Sequence, residues 1–187
     1  HKARELPVLK RSFPMAKFYL FEPYPQYFKY LLKKFGKDNH VKIYQVALSD
    51  SSKKTKFYQT NIDGSGSLQK PNSIAKETYN MSVKEIISVE VDTLADFRKN
   101  RYLPYPDILW IDVQGTEYKV LLGASKDVLS KTKAIFVEVS SNKPIYEKQV
   151  SLNKIYSLLD KHGFALVGLG TDPINHTGNA IFIRRNA

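Results

Sequence analysis

Cysteine is absent from the 187 residues. That excludes a disulfide framework, an iron–sulfur or thiolate zinc site, and a cysteine nucleophile. Long apolar runs are absent too: none approaches the ~20 residues a membrane helix requires. Residues 1–12 are basic but lack an apolar core, so they do not read as a signal peptide. No two histidines stand at metal-ligand spacing, and no metal is expected. No repeat or low-complexity tract divides the chain. The length suits one domain with a full core, so a single domain over 1–187 is expected. A chain without cysteine or leader leads to the expectation of a cytoplasmic location. It opens on His1, not methionine, which predicts a processed or truncated N-terminus.

What the chain has is basic charge, unevenly placed. The net charge is +11. Residues 1–60 hold 13 Lys/Arg against 4 Asp/Glu, and residues 61–187 hold 16 against 14. Such a footprint suits an anionic partner: nucleic acid, a phosphorylated glycan or a membrane face. The plainer reading is solvated lysine. Lys29, Lys33 and Lys34 belong to a helix whose other face carries Phe28, Leu31, Leu32 and Phe35 at helical spacing. That favours the plainer version, and nucleic acid is not expected as a partner.

Strand and helix patterns alternate. Phe18–Phe21 reads as a buried strand, Pro25 opens a helix, and residues 41–48 read as the next strand. Residues 55–60 and 86–91 alternate as strands, separated by a polar loop at 61–73. Thr93 caps a short helix. Ile108 to Val113 is almost wholly apolar, the mark of a strand covered on both faces. A helix from about Thr116, a second short one, a strand at 134–139, a helix at 148–162 and two closing strands complete the pattern. This predicts an α/β domain with a mostly parallel sheet and helices on both faces. Ligands in such sheets bind beyond the carboxyl ends of the strands.

Four strand ends carry acids or polar turns: Glu22, Ala47-Leu48-Ser49-Asp50, Asp112 and Glu138. Glu22 suits a ribose diol, which needs a bidentate acceptor, or equally a surface acid favoured by a helix N-terminus. Asp112 ends a buried strand, and Gly115 lets backbone approach a ligand closely. Glu117 either serves the site or favours the helix dipole. A carboxylate with a raised pKa could act as base for a hydroxyl. Glu138 could equally be a loop acid paired with lysine. Gly64-Ser65-Gly66-Ser67 could hold an anion by its amides, but reads better as a flexible loop. Of the four histidines, His176 in the late polar loop is the one candidate base.

These residues also resemble a known family. Phe21-Glu22-Pro23, Ala47-Leu48-Ser49-Asp50, Val91-Asp92-Thr93-Leu94, Ile111-Asp112-Val113-Gln114-Gly115-Thr116-Glu117 and Val120-Leu121-Leu122-Gly123-Ala124 are similar, in order and spacing, to the FkbM methyltransferases. The resemblance runs from about residue 18 to 184. It implies a Rossmann-like class I S-adenosylmethionine fold whose last strand is antiparallel. It implies methyl transfer to a hydroxyl of a sugar, glycan, lipid or similar small molecule. Glu22 and Pro23 would then bind the cofactor ribose, and Ala47 and Leu48 would line the adenine. Asp112 would touch the cofactor and, with Glu117 and His176, stand as a catalytic candidate.

Two departures qualify the match. Gln114 replaces the family's usual glutamate. The family's glycine-rich D-x-G-A-N-x-G turn after the first strand is absent, so the first strand is expected to be missing and cofactor binding by these 187 residues to be weak. No N/D-P-P-[YF] motif is present, which favours oxygen over nitrogen as acceptor. Two rivals remain: a nucleotide-dependent oxidoreductase or sugar-modifying enzyme, and a degenerate, non-enzymatic α/β module that binds an anion through its basic N-terminal third.

Overall fold

The computed structural model describes residues 1–140, 143–172 and 177–185, without the side chains of 171 and 172. After α1 (Leu6–Ser12), the aromatic strand β1 (Phe18–Phe21) leads through Glu22 into α2 (Pro25–Phe35). Proline opens α2 where its missing N–H costs nothing. β2 (Val41–Tyr44) lies parallel to β1, with Phe18 opposite Val41 and Phe21 opposite Tyr44. Phe97 of α4 (Leu94–Asn100) packs edge-on against Phe21 and Tyr44 at 5.1 and 4.9 Å.

The run 41–48, which reads as one strand, divides. Its second half, β3 (Ala47–Leu48), leaves β2 and pairs in parallel with β5 (Val83–Asp92). β4 (Lys53–Thr60) pairs antiparallel with β5 over nearly its whole length. Between them lies α3 (Ser73–Tyr79), a helix the sequence reading leaves unassigned, capped by the Asn72 side chain on the Ala75 amide.

β6 (Ile108–Ile111) leads into α5 (Glu117–Lys131), which breaks at Ser125 into the two helices the sequence predicts. β6 is parallel to β7 (Ala134–Ser140). α6 (Leu152–Lys161) precedes β8 (Phe164–Asp172), and β9 (Thr177–Arg184) runs antiparallel to both β7 and β8. The antiparallel last strand is as expected.

The mostly parallel sheet is not. Three ladders are parallel and three antiparallel, arranged in three separate sheets among the described residues. The physical reason is the β4–β5 pair. Both strands are rich in polar residues, so the pair can bury one face and leave the other wet. They gather their own small core around Ala47, Phe57, Val89 and Val91. No ladder joins β1 to β6 among the described residues.

For the sheet of β6, β7, β9 and β8, helices on both faces are also not found among the described residues. The main core places Ile111, Ile135, Val137 and Phe182 beneath Leu121, Val128, Ile155 and Leu159 of α5 and α6. Those helices lie on one side only. On the other, the rows Ile108–Ala134–Ile183 and Trp110–Phe136–Ile181 face outward. Trp110 is 43% exposed and Ile108 46%, so β6 is not covered on both faces. No helix among the described residues is long and apolar enough to cross a membrane.

Candidate active site

The turn after β6 gathers the acids. Gln114 and Gly115 both take positive φ, 56° and 93°. A side chain at Gly115 would also meet the Tyr146 ring at 2.9 Å, so glycine answers a conformational and a steric demand together. The turn folds the Gln114 amide between two carboxyl groups. Its Nε2 donates to Asp112 Oδ1 at 2.7 Å and to Glu138 Oε2 at 2.9 Å. Its Oε1 accepts from the Tyr146 hydroxyl at 3.1 Å.

Glu117 is buried at the start of α5. Its Oε1 accepts the Gly115 amide at 2.9 Å and the Val113 amide at 3.2 Å, bracing the turn from below. Burial pushes its carboxyl up to about 7 against those donors, and the Asp112 charge adds to the rise. Glu138 is driven upward by burial first, then by the charges of Asp112 and Glu117. It is therefore held as the neutral acid near neutral pH, and it makes no ion pair with lysine among the described residues. Asp112 is the exposed member.

The Gly64–Ser67 loop is pinned to this centre. Tyr146 shares its one hydroxyl proton between Gln114 Oε1 and the Ser65 carbonyl, the latter at 2.9 Å, while Ser67 Oγ donates to the Gln114 carbonyl at 2.6 Å and Gln69 Nε2 to the Gly115 carbonyl at 2.9 Å. The Ser65 and Ser67 amides are spent within the chain, on Ile62 and Tyr58 carbonyls. The loop thus fits neither a flexible tether nor an anion cradle.

Glu22 is buried at the end of β1. Oε1 accepts the Tyr24 amide at 2.8 Å, and Oε2 faces the His1 amino group at 2.5 Å. Next to it, Tyr24 packs on the cluster containing Ala47, while Leu48 packs on the main core. Glu22 and Pro23 thus adjoin Tyr24, whose ring stacks on Phe57 of the cluster that also contains Ala47. No hydrogen bond links Glu22 to Asp112, Glu117 or Glu138 among the described residues. His176 lies outside the described residues. No group of three or more His, Cys, Asp or Glu among the described residues could hold a metal ion.

Sequence reasoning missed Tyr146 and the bridging role of Gln114. Nothing local marks Tyr146, which reaches the turn from the segment after β7. Gln114 was visible as a departure from the family pattern. Its role needed Glu138, 24 residues away, to be placed beside it.

A family model described as the Methyltransferase FkbM domain matches residues 3–166. The chain belongs to the FkbM methyltransferase family. It is 33% identical over 153 residues to the 2-O-methyltransferase NoeI of Sinorhizobium fredii, covering 78% of this chain and 62% of that protein. It is 26% identical over 180 residues to the methyltransferase sdnD of Sordaria araneosa, covering 83% and 67%. The chain thus spans about two thirds or less of the curated relatives it matches. Among solved structures, the pyocyanin biosynthetic protein PhzM overlaps 95% of this chain and 53% of its own, with 12% identity and a TM-score of 0.36. The magnesium protoporphyrin IX methyltransferase of Synechocystis, with bound SAM, overlaps 42% and 39%, with 13% identity and a TM-score of 0.33. Likenesses so slight decide nothing about this fold.

Membership in the FkbM family sets aside the oxidoreductase reading. It also gives the family-like Val120–Ala124 run a physical meaning. A side chain at Gly123 would lie 1.8 Å from the Ser49 carbonyl oxygen, so α5 can seat on the β3 turn only through glycine.

Proposed function

We propose that the chain carries S-adenosylmethionine-dependent methyl transfer to a hydroxyl of a sugar, glycan, lipid or similar small molecule. The observation that carries this reading is the Asp112–Gln114–Glu138 bridge at the carboxyl ends of β6 and β7, in a member of the FkbM family. A relative named for 2-O-methyl transfer supports oxygen as the acceptor atom.

The residues present fit one end of the cofactor. Glu22 is a buried carboxylate at the end of β1, a bidentate acceptor of the kind a ribose diol requires. Pro23, Ala47 and Leu48 would hold the adenine beside it. No residue is assigned to the methionine end, because the glycine-rich turn is not among the 187 residues. When bound, the cofactor supplies a methyl group already activated by its sulfonium.

The chain's own task is then orientation and proton removal. Orientation contributes roughly 7–11 kcal/mol in favourable cases. Asp112 accepts the hydroxyl proton, a step worth about 10²–10⁴-fold. Gln114 holds the Asp112 carboxylate in place. Burial and the neighbouring acids favour the neutral form of Glu138, which limits charge repulsion around Asp112. Glu117 touches backbone only and is assigned as a positioning residue.

The test is titration of the protein, as its gene encodes it, with S-adenosylmethionine, followed by transfer of labelled methyl to a panel of hydroxyl compounds. Micromolar binding that Glu22→Ala weakens, with turnover lost in Asp112→Asn but binding kept, is the expected result. A protein that ignores the cofactor overturns the reading.

A further inference from the structure

The Tyr146 hydroxyl touches the acid centre, yet the proposed reaction gives it no task. Its ring cannot meet a substrate, because the residue is 2% exposed. It stands with Ala75, Met81 and Ile145 in a small core of its own. The backbone around it is tied down. Tyr146 forms an isolated bridge with Pro71, the Asn72 amide donates to the Ile145 carbonyl at 3.0 Å, and Gln149 Oε1 accepts the Ile145 amide at 2.9 Å. The hydroxyl is thus delivered to a fixed point, 3.1 Å from Gln114 Oε1 and 2.9 Å from the Ser65 carbonyl.

What that point controls is the direction of an amide. A glutamine side chain has one accepting end and one donating end. Gln114 Nε2 can serve both Asp112 Oδ1 and Glu138 Oε2 only while Oε1 points away from them. Turned about, the amide would set its oxygen against the Asp112 carboxylate, acceptor against acceptor. A donor on the far side favours the first orientation, and the Tyr146 hydroxyl stands there. Burial, and after it the charge of Glu138, pushes the phenol above its ordinary pKa. It therefore remains a donor throughout the neutral range.

We infer that Tyr146 is a positioning residue: its hydroxyl holds the Gln114 amide with nitrogen toward Asp112 and Glu138, and so aligns the Asp112 carboxylate with the acceptor hydroxyl. The catalytic consequence rests on the methyl-transfer reading; the orientation of the amide does not. A Tyr146 that only pinned the Gly64–Ser67 loop would need the Ser65 carbonyl alone.

The test is Tyr146→Phe, which keeps the ring against Gly115 and removes the hydroxyl. The first readout is the Gln114 side-chain amide pair in a ¹⁵N–¹H spectrum, assigned by its absence in Gln114→Met. Two distinct protons, slow to exchange with water, are expected in the unaltered protein. In Tyr146→Phe they should move toward the positions of exposed glutamines and exchange about tenfold faster, the scale of one hydrogen bond. Ser67→Ala loosens the same loop through the Gln114 backbone carbonyl, and should leave the pair in place. The second readout is kinetic, on the protein as its gene encodes it. In Tyr146→Phe, kcat for methyl transfer should fall about three- to tenfold while the Kd for S-adenosylmethionine stays unchanged. An amide pair that is the same with and without the hydroxyl, or that Ser67→Ala disturbs equally, overturns the assignment. An unchanged kcat, or a loss of cofactor binding alongside kcat, overturns it too. If the unaltered protein transfers no methyl group, the amide spectrum still decides the orientation, and the methyl-transfer reading falls alone.

Discussion

Burial of Glu117 and Glu138 ties the stability of the fold to pH. The Glu117 carboxyl titrates near 7 when folded and near 4.5 when free, so between those values the folded chain binds the extra proton. Stability must therefore fall as pH rises through that window, with a slope up to about 1.4 kcal/mol per pH unit for one proton. Glu138 acts in the same direction and extends the fall above 7. His162, held down by burial, works the other way below its ordinary value of 6.5. Asp38 and Asp63, held low by Lys10 and Lys2, act only at more acid pH. The urea midpoint should be higher at pH 5 than at pH 7.5, and Glu117→Gln should flatten that difference. A midpoint that is equal at both pH values, or that rises with pH, would contradict the burial argument. At the same turn, Gly115→Ala meets both a φ of 93° and the Tyr146 ring. It should cost about 2–4 kcal/mol in urea unfolding and free the Gly64–Ser67 loop.

At the scale of elements, α5 carries two opposite lessons. Gly123 lets its first half touch the Ser49 carbonyl, so Gly123→Ala must push the helix off β3. A loss of at least about 3 kcal/mol is expected, measured by urea denaturation. Ser125 sits at φ 62°, ψ 166°, a region that glycine occupies without strain. Ser125→Gly should raise the urea midpoint by the equivalent of about 1 kcal/mol. Elements of this kind were legible because their signals are local. Pro25, Thr93 and the Ile108–Val113 run each announce a boundary or a strand. What was illegible depended on partners. Nothing in 41–48 tells that Val41–Tyr44 joins β1 while Ala47–Leu48 joins β5. Asn72 is a proper cap, yet the polar stretch around it reads as loop. Asp112 and Glu117 were readable as acids at a strand end; the amide bridge to Glu138 was not, because β-strand register places it.

At the scale of the whole molecule, the sheet of β6, β7, β9 and β8 has a helix-covered side and an open one. The open face of β6, β7 and β9 carries Ile108, Trp110, Phe136, Ile181 and Ile183 in adjoining rows. A contiguous apolar patch of this kind promotes self-association. Replacing Ile181 and Ile183 together by threonine should raise the solubility limit and lower light scattering. The urea midpoint should stay within about 0.5 kcal/mol, because both side chains are already exposed. A large loss of stability would instead mean that these side chains pack within the fold. In the basic N-terminal third, Lys29, Lys33 and Lys34 are exposed on α2, and Lys34 lies over the Tyr30 and Phe35 rings.

The chain has one tryptophan, and it lies in that open face. Trp110 stacks on Phe136 at 3.9 Å, two residues before Asp112. The molecule thus carries its own fluorophore at the border between an uncovered sheet and an acid centre. Half-wetted indole emits at longer wavelength than indole in a dry setting. Whatever covers the face should move the emission to the blue, without any label.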